Sequence, residues 1–343
     1  MMLDHLKVID LTADLGGYAG ALLARLGADV AWVANRGKSH DRAEAEMDRH
    51  GKRILELAYD DPALCDLIAG ADILFRGPEA LPQPLDPAAL ASSNPRLIDV
   101  AVLPFDATGA NAQRPATDLT IMARSGLMTI VGDPDRPPLN LPGRQAWALA
   151  GIQGAIAALL ALQARAADDA GQQAQVSAYR SAVLANYREP LMWEWVGRVG
   201  TRTGNLLVRG KSGVRQIWNC ADGFVTWSFV DNQPMMRAVV AQMAADGMAG
   251  ALAEVDWDAI LVADTPREML IEWEALVAAW LMTKTKAELT DLSNRHGMGL
   301  SAISDVGDVL ASPHLAARGL WESARVNGRE VQVPGPLFRE TGV

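Results

Sequence analysis

The chain has 343 residues, of which 50% are hydrophobic and 21% charged, so it is longer than one compact core usually holds. This composition excludes a disordered, collagen-like or low-complexity protein and predicts a globular protein of about two domains. The 31 basic and 41 acidic residues give a formal net charge of −10. Such a balance argues against nucleic acid or an anionic membrane surface as a partner, but it permits a small anionic ligand held by a local arginine cluster.

The cysteines and histidines indicate neither a disulfide framework nor a metal site. Cys65 and Cys220 lie far apart and form no CxxC pair, and the five histidines show no HExxH or HxH spacing. We therefore predict no metal. The first residues lack a basic stretch followed by an apolar segment and a cleavage site, which predicts a cytoplasmic protein.

The amino-terminal part of the chain alternates between strand and helix patterns. Apolar strands are predicted at residues 8–11 and 30–33, with a glycine turn at 15–20 and a helix at 21–26 between them. Looser repeats of the pattern follow as helix 62–68, strand 72–75, helix 87–92 and strand 97–102. This alternation predicts an α/β protein with a Rossmann-like open parallel sheet, whose ligands bind beyond the carboxyl ends of the strands.

Helical patterns dominate after Asp118. The uncharged stretch 145–164 is long enough to span a bilayer, but its many alanines and glycines favour a helix buried in a globular protein. Another helix is predicted near 176–195. A hairpin is then expected from strands 216–220 and 224–227, because Asp222-Gly223 between them is a strong turn signal, and amphipathic helices continue to about His296.

The glycine turn after the first strand has two possible explanations. Gly16, Gly17 and Gly20 form a GGxxG pattern rather than GxGxxG, and no acidic residue follows the second strand to bind a ribose hydroxyl. Arg36 stands there instead, which suits a phosphorylated ribose. Alternatively, the glycines simply allow a tight turn and close helix packing. Both explanations stay open.

Asp118 is the main candidate for chemistry. It follows a strand and a polar loop and precedes a mostly apolar helix, which puts a carboxylate at a helix N-terminus beside the mouth of the sheet. Asp is a favoured N-cap, so its local pattern favours a structural role for Asp118. The alternative is a carboxylate that reacts with a bound ligand.

Several short motifs occur in a fixed order along the chain. They include LKVIDLT at 6–12, GYAG at 17–20, LGADV at 26–30, HGKR at 50–53, NPRLI at 94–98, SGLM at 125–128 and SPHLAARG at 312–319. Their order and spacing resemble the class III CoA-transferase family, which also contains the α-methylacyl-CoA racemases. The resemblance covers essentially the whole chain.

The resemblance implies an interlocked homodimer of two ring-like chains. It implies a large α/β domain over 1–200 to which 297–343 return, a linker over 201–213 and a smaller inserted domain over 214–296. Asp118 matches the family's catalytic aspartate. In the transferases this carboxylate attacks an acyl-CoA thioester, forms an aspartyl anhydride and then an aspartyl-CoA thioester, and passes CoA to an acceptor carboxylate.

The same resemblance makes coenzyme A the expected ligand, bound as an acyl-CoA substrate together with a carboxylic acid. Arginine suits the CoA phosphates because it carries a permanent charge on a planar fork. The predicted CoA-binding residues are Arg36, Arg76, Arg42, Gly17 and Tyr18.

The chain departs from the family at several positions. Thr117 precedes Asp118 where the racemases carry a His, and Arg144 stands where their second acid would lie, which disfavours racemisation. The Asp that transferases often have near Trp147 is absent, and Asp60 replaces a family Lys. Two alternatives are therefore an acyl-CoA racemase or isomerase, and a non-catalytic CoA-binding subunit. A paralogue heterodimer is the alternative to the homodimer.

Four of the ten tryptophans cluster around the expected linker and hairpin: Trp193, Trp195, Trp218 and Trp227. They would line a wide apolar acyl pocket or, as the simpler interpretation, pack in a core or a dimer interface.

Overall fold

The computed structural model describes residues 2–34, 47–78, 85–209, 212–326 and 328–335. Its central feature is a parallel sheet of six strands, β1 (Lys7–Leu11), β2 (Asp29–Ala34), β3 (Arg53–Glu56), β4 (Ile73–Arg76), β5 (Ile98–Leu103) and β6 (Gln172–Ser177). The strand order is β3-β2-β1-β4-β5-β6, so the order reverses between β1 and β4. This confirms the predicted α/β class and open parallel sheet.

Helices cover both faces of this sheet. They are α1 (Gly17–Arg25), α2 (Pro62–Ala69), α3 (Pro87–Ser93), α4 (Asp118–Arg124), α5 (Gln145–Asp168), α6 (Ala178–Ala185) and α7 (Arg188–Val196). Asp61 and Asp86 each precede a proline and accept a hydrogen bond from a backbone amide in the first turn, so they start α2 and α3 as N-caps. One apolar core lies under α1 and α5, and a second lies on the α2 and α3 side.

A second compact unit contains the smaller elements that follow. Its strands are β7 (Leu206–Arg209), β8 (Ser212–Arg215), β9 (Ile217–Cys220), β10 (Gly223–Thr226) and β11 (Ser301–Ile303). Its helices are α8 (Gln233–Ala245), α9 (Arg267–Leu281), α10 (Lys286–His296) and α11 (Val306–Leu310), before α12 (Pro313–Ala317) at the end of the unit. The predicted hairpin is confirmed, since β9 pairs antiparallel with β10.

The division into units differs from the predicted boundaries. The first unit comprises the described residues of Met1–Val131, Pro138–Gly200 and Ala316–Val343, the last including the hairpin of β12 (Trp321–Val326) and β13 (Arg329–Pro334). Residues 201–213 are not a linker, because β7 and β8 pair there through backbone hydrogen bonds that composition does not reveal. Residues 297–315 belong to the second unit, because β11 extends its sheet by pairing with β10.

Two edge strands and one helix break lay outside the sequence prediction. β3 is short and largely exposed, and β6 has the polar sequence QQAQVS, so neither carries an apolar strand pattern. β6 forms because its backbone pairs with β5 along six residues. The helix expected over 176–195 is therefore preceded by a strand and divided into α6 and α7.

The alanine-rich helix α5 is the main support of the first core. By length and composition alone it could cross a membrane. Its small residues instead pack against α1 and the sheet, where a Cβ added to Gly151 would lie 2.7 Å from the Cβ of Tyr18 and 3.1 Å from the backbone nitrogen of Ala19. The two helices therefore approach closely only because Gly151 has no side chain.

We predict that Gly151→Ala destabilises the protein although alanine is the better helix former. The added methyl group overpacks the α1–α5 contact, and the expected loss is about 1–3 kcal/mol of unfolding free energy. Urea denaturation followed by circular dichroism measures the change. Gly70→Ala is the matched control, since its Cβ would meet atoms only at 3.9 Å and beyond. A Gly151→Ala protein as stable as that control would contradict the close approach.

Candidate functional site

Asp118 is not the N-cap that its local sequence pattern favours. Thr117, not Asp118, is the N-cap of α4, because its hydroxyl accepts the Thr120 amide at 3.3 Å and the Thr120 hydroxyl accepts the Thr117 amide at 2.9 Å. This reciprocal pair is a capping box. Asp118 is the first residue of the helix and is not needed to cap it.

Asp118 caps a different helix. Its Oδ1 accepts a hydrogen bond from the backbone amide of Trp147 at 3.0 Å, and the Ala146 amide also donates to this carboxylate. These are amides of the first turn of α5, whose own N-cap residue, Arg144, makes no side-chain cap. The carboxylate thus takes the place of an N-cap, at the positive end of the longest helix in the described chain.

The electrostatic balance at Asp118 follows from this position. Asp118 is partly buried, and loss of solvent raises its pKa above the ordinary value. The amides of Trp147 and Ala146 and the positive charge of Arg144 act in the opposite direction. The site therefore holds a carboxylate that has lost part of its hydration but keeps fixed donors around it. Because an ionised carboxylate has about four acceptor positions, two amides do not exhaust it.

A cavity of about 240 Å³ lies beside Trp147, the residue whose backbone amide binds Asp118. Its lining includes Asp14, Tyr18, Met47, Asp48, Arg144 and Trp147. Arg144 Nη2 donates to Asp48 Oδ2 at 2.8 Å, and Nη1 donates to the Asp14 carbonyl at 3.4 Å. The cavity combines apolar walls with one ordered set of charges, which is the usual make-up of a small-molecule site.

The cavity lies where the topology predicts a ligand. Asp14 and Tyr18 follow the carboxyl end of β1, and Arg144 and Trp147 lie at the start of α5, whose end leads into parallel strand β6. In open α/β sheets ligands bind outside the carboxyl ends of the strands. Of the residues predicted to bind CoA, Tyr18 lines this cavity. Gly17 directly precedes Tyr18 and is the first residue of α1.

The structure of the glycine turn beside this cavity favours the explanation that its glycines allow a tight turn and close packing. A Cβ on Gly20 would lie 2.2 Å from Asp10 Oδ2, so this glycine makes room for a buried ion pair. Lys52 Nζ lies 2.7 Å from Asp10 Oδ2 and donates to the Gly17 carbonyl at 2.7 Å. Gly16 has a φ of 94°, a conformation that favours glycine. The requirement for these glycines is explained by the turn and by the ion pair.

Arg76 does not fit its predicted role in phosphate binding. Its side chain is only 4% exposed, and it donates to Asp99 through Nε at 2.7 Å and Nη2 at 2.6 Å. Nη1 also donates to the Leu85 carbonyl at 3.3 Å. This guanidinium joins β4 to β5 inside the protein, so we withdraw it from the CoA site. Arg36 and Arg42 lie outside the described residues.

Asp48 was not predicted from the sequence to be a member of the site. Arg144 was noted only as a departure from a family pattern, and the pairing of the two was not expected. The one available signal was the arginine itself, which stands directly before a long uncharged helix without a capping side chain. Asp48 follows no periodic segment and carried no signal.

The tryptophans divide between packing and surface. Trp218 and Trp227 lie in the core of the second unit, where their rings are 6.1 Å apart, so they do not line an open acyl pocket. Trp193 and Trp195 lie on α7 and are 55% and 78% exposed.

We predict that Asp118→Ala lowers the unfolding free energy by about 1 kcal/mol, because the first turn of α5 loses its acceptor. Asp118→Asn keeps a carbonyl oxygen at the same place and should retain most of the stability. Urea denaturation of the three proteins at neutral pH measures both changes. Equal stability of the Ala and Asn variants would show that Asp118 does not cap α5.

The comparisons with known proteins identify the family and agree with the fold. A model of CoA-transferase family III matches residues 3–342. The succinyl-CoA:(R)-benzylsuccinate CoA-transferase subunit BbsE of Thauera aromatica is 26% identical, over 97% of this chain and 86% of its own length. The succinyl-CoA–D-citramalate CoA-transferase of Chloroflexus aurantiacus is 27% identical, over 92% of this chain and 82% of its own length.

Among solved structures, a CAIB/BAIF family protein from Brucella suis shares the fold. It superposes with a TM-score of 0.79 at 23% identity and covers 92% of this chain and 88% of its own. Since the family model matches nearly the whole chain, the protein belongs to CoA-transferase family III, as its ordered motifs predicted.

Proposed function

We propose that the protein moves CoA between an acyl-CoA and a carboxylic acid through a covalent intermediate on Asp118. One observation carries the proposal: the Asp118 carboxylate does not cap its own helix but is held by the first-turn amides of α5, and Trp147, one of these amide donors, lines a cavity. A carboxylate is already ionised at neutral pH unless its pKa rises greatly, so it attacks without a separate base.

The reaction balances without any other group. An Asp118 oxygen attacks the thioester carbonyl, the C–S bond breaks, and CoA leaves as a thiolate, which gives an acyl-aspartyl anhydride. The thiolate then attacks the Asp118 carbonyl of the anhydride, which releases the donor acid and leaves an aspartyl-CoA thioester. The acceptor carboxylate repeats these steps in reverse order, and Asp118 returns as a free carboxylate.

The amides at the start of α5 have two tasks in this scheme. Before reaction they fix the direction of the carboxylate, which removes much of the entropy cost of the attack. When the thiolate adds to the Asp118 carbonyl, negative charge develops on the oxygen that these amides already bind. Fixed donors at a developing oxyanion are a large source of rate enhancement.

The names of the relatives guide the choice of substrates. Both relatives described above are named for succinyl-CoA, so succinyl-CoA with a panel of carboxylic acids is the first pair to test. For the CoA phosphates, Arg36 and Arg42 are the proposed ligands. Racemisation is disfavoured because Thr117 stands where the racemases carry a His. Its hydroxyl and its amide both take part in the cap of α4.

We predict that Asp118→Asn lowers turnover by at least about a thousandfold, a scale typical for loss of a covalent catalyst, while CoA still binds. Radiolabelled CoA exchange measures turnover, and calorimetry measures CoA binding. Incubation of the wild type with acyl-CoA and hydroxylamine should also convert Asp118 to a hydroxamate, seen as a mass shift on its peptide. An Asn variant with near wild-type turnover would exclude the mechanism.

We also propose that the protein is a homodimer. Exposed large apolar residues are concentrated in α6, α7 and the residues after them: Leu184, Tyr187, Leu191, Trp193, Trp195, Val196 and Val199. Exposed apolar area on this scale favours an interface. Since the Thauera relative is named as a subunit, a different chain as partner is the alternative assembly.

Sedimentation equilibrium at micromolar concentration should give twice the mass of the chain. Replacing Trp193 and Trp195 with Ser should weaken the dimer, because both rings lose apolar area that the interface would bury. A single-chain mass for the folded wild type would contradict the homodimer.

A further inference from the structure

Arg144 directly precedes the first turn of α5, whose amides hold Asp118, and two further carboxylates lie next to its guanidinium. Its Nη2 donates to Asp48 Oδ2 at 2.8 Å, and its Nη1 lies 3.9 Å from Asp14 Oδ1. Burial raises the pKa of Asp118, and the charge of Arg144 offsets part of this rise. The side chain is 21% exposed, so it is shielded enough for these charges to interact strongly.

Asp48 forms the shortest of the described contacts with this guanidinium. Its side chain is 16% exposed, and burial raises its pKa while the adjacent Arg144 lowers it. Lys52 and Asp10 also act on Asp48, but Lys52 already binds Asp10 and the Gly17 carbonyl at 2.7 Å each. The hydrogen-bonded cation of Asp48 is therefore Arg144.

An arginine near a nucleophilic carboxylate can inhibit catalysis by pairing with it. Guanidinium and carboxylate form bidentate pairs in which both oxygens accept hydrogen bonds, and such pairs are among the strongest contacts in proteins. Capture of Asp118 in this way would occupy the oxygens that must attack the thioester. The arginine side chain is long and flexible enough to change partners unless something retains it.

We infer that Asp48 is a positioning residue that retains the Arg144 guanidinium and so keeps the Asp118 carboxylate free to attack. The inference rests on the proposed role of Asp118. Arg144 at its observed place still acts on Asp118 through its charge, while its described hydrogen bonds go to Asp48 and to the Asp14 carbonyl. Asp14, with its looser contact, adds to the retention.

The experiment compares the wild type with Asp48→Asn and with Asp48→Asn/Arg144→Gln. Asn has the size of Asp but lacks the charge that retains Arg144, and the second change removes the cation altogether. Asp29→Asn is the matched control, because it breaks another Asp–Arg pair. Asp29 pairs with Arg53 at the amino ends of β2 and β3, away from the carboxyl ends of the strands where the cavity lies. Thermal melts establish that each variant is folded, and Asp48→Ser replaces Asp48→Asn if the latter melts early.

Two readouts separate this inference from the proposed function. The first is the rate of hydroxamate formation on Asp118 in a single turnover with acyl-CoA and hydroxylamine. The second is labelling of Asp118 by a water-soluble carbodiimide and glycine ethyl ester at mildly acidic pH, which needs no CoA. Carbodiimides react with the protonated acid, so labelling falls when the pKa of Asp118 falls.

Asp48→Asn should lower the carbodiimide labelling about tenfold, the change in protonated fraction that a fall of one pKa unit gives. It should also slow hydroxamate formation, because carboxylate oxygens paired with Arg144 cannot attack. The added Arg144→Gln should restore both signals to near the wild-type level. Asp29→Asn should change neither. Wild-type labelling in Asp48→Asn would overturn the inference, and so would a loss that Arg144→Gln does not restore. If the wild type forms no hydroxamate but labelling shows the expected loss and recovery, the positioning by Asp48 stands and the proposed function fails.

Discussion

The site depends on the backbone amides at the start of α5, which have no hydrogen-bond partner within their own helix. A helix that begins without a capping side chain leaves backbone donors without a partner in the helix, and burial of such donors is costly. The chain satisfies them with Asp118 from another helix, while Thr117 and Thr120 take over the cap of α4. The candidate nucleophile is consequently held by an interaction that the fold itself requires.

The same edge of the sheet contains buried ion pairs that fix its geometry. Lys52 with Asp10 secures the turn that leads into α1, and Arg76 with Asp99 links β4 to β5. Removing one partner of a buried pair costs about 3–5 kcal/mol, since the other charge stays without compensation. These pairs make the carboxyl edge rigid where the loops that line the cavity begin.

The sequence predicted the sheet because its inner strands are short apolar runs between helix signals, and β1, β2, β4 and β5 all follow this rule. It could not predict β6, because a six-residue strand with four polar residues forms only through pairing with β5. Arg76 was assigned wrongly for a related reason. Its partner Asp99 lies on the neighbouring strand, and two opposite charges in adjacent apolar strands were the available sign of a buried pair. Asp118 itself was found through the ordered motifs, whereas Asp48 depends on a contact across 96 residues of sequence with Arg144.

In the proposed mechanism, the way Asp118 is held would also affect the lifetime of the covalent intermediate. A free carboxylate interacts with the positive end of α5 as a full negative charge, whereas an acylated Asp118 offers only the dipole of a carbonyl. Acylation of this residue would therefore weaken the attachment of α4 to α5, and regeneration of the carboxylate would restore it. This difference would favour the resting carboxylate, so the helix that positions Asp118 would also oppose accumulation of the acyl-enzyme.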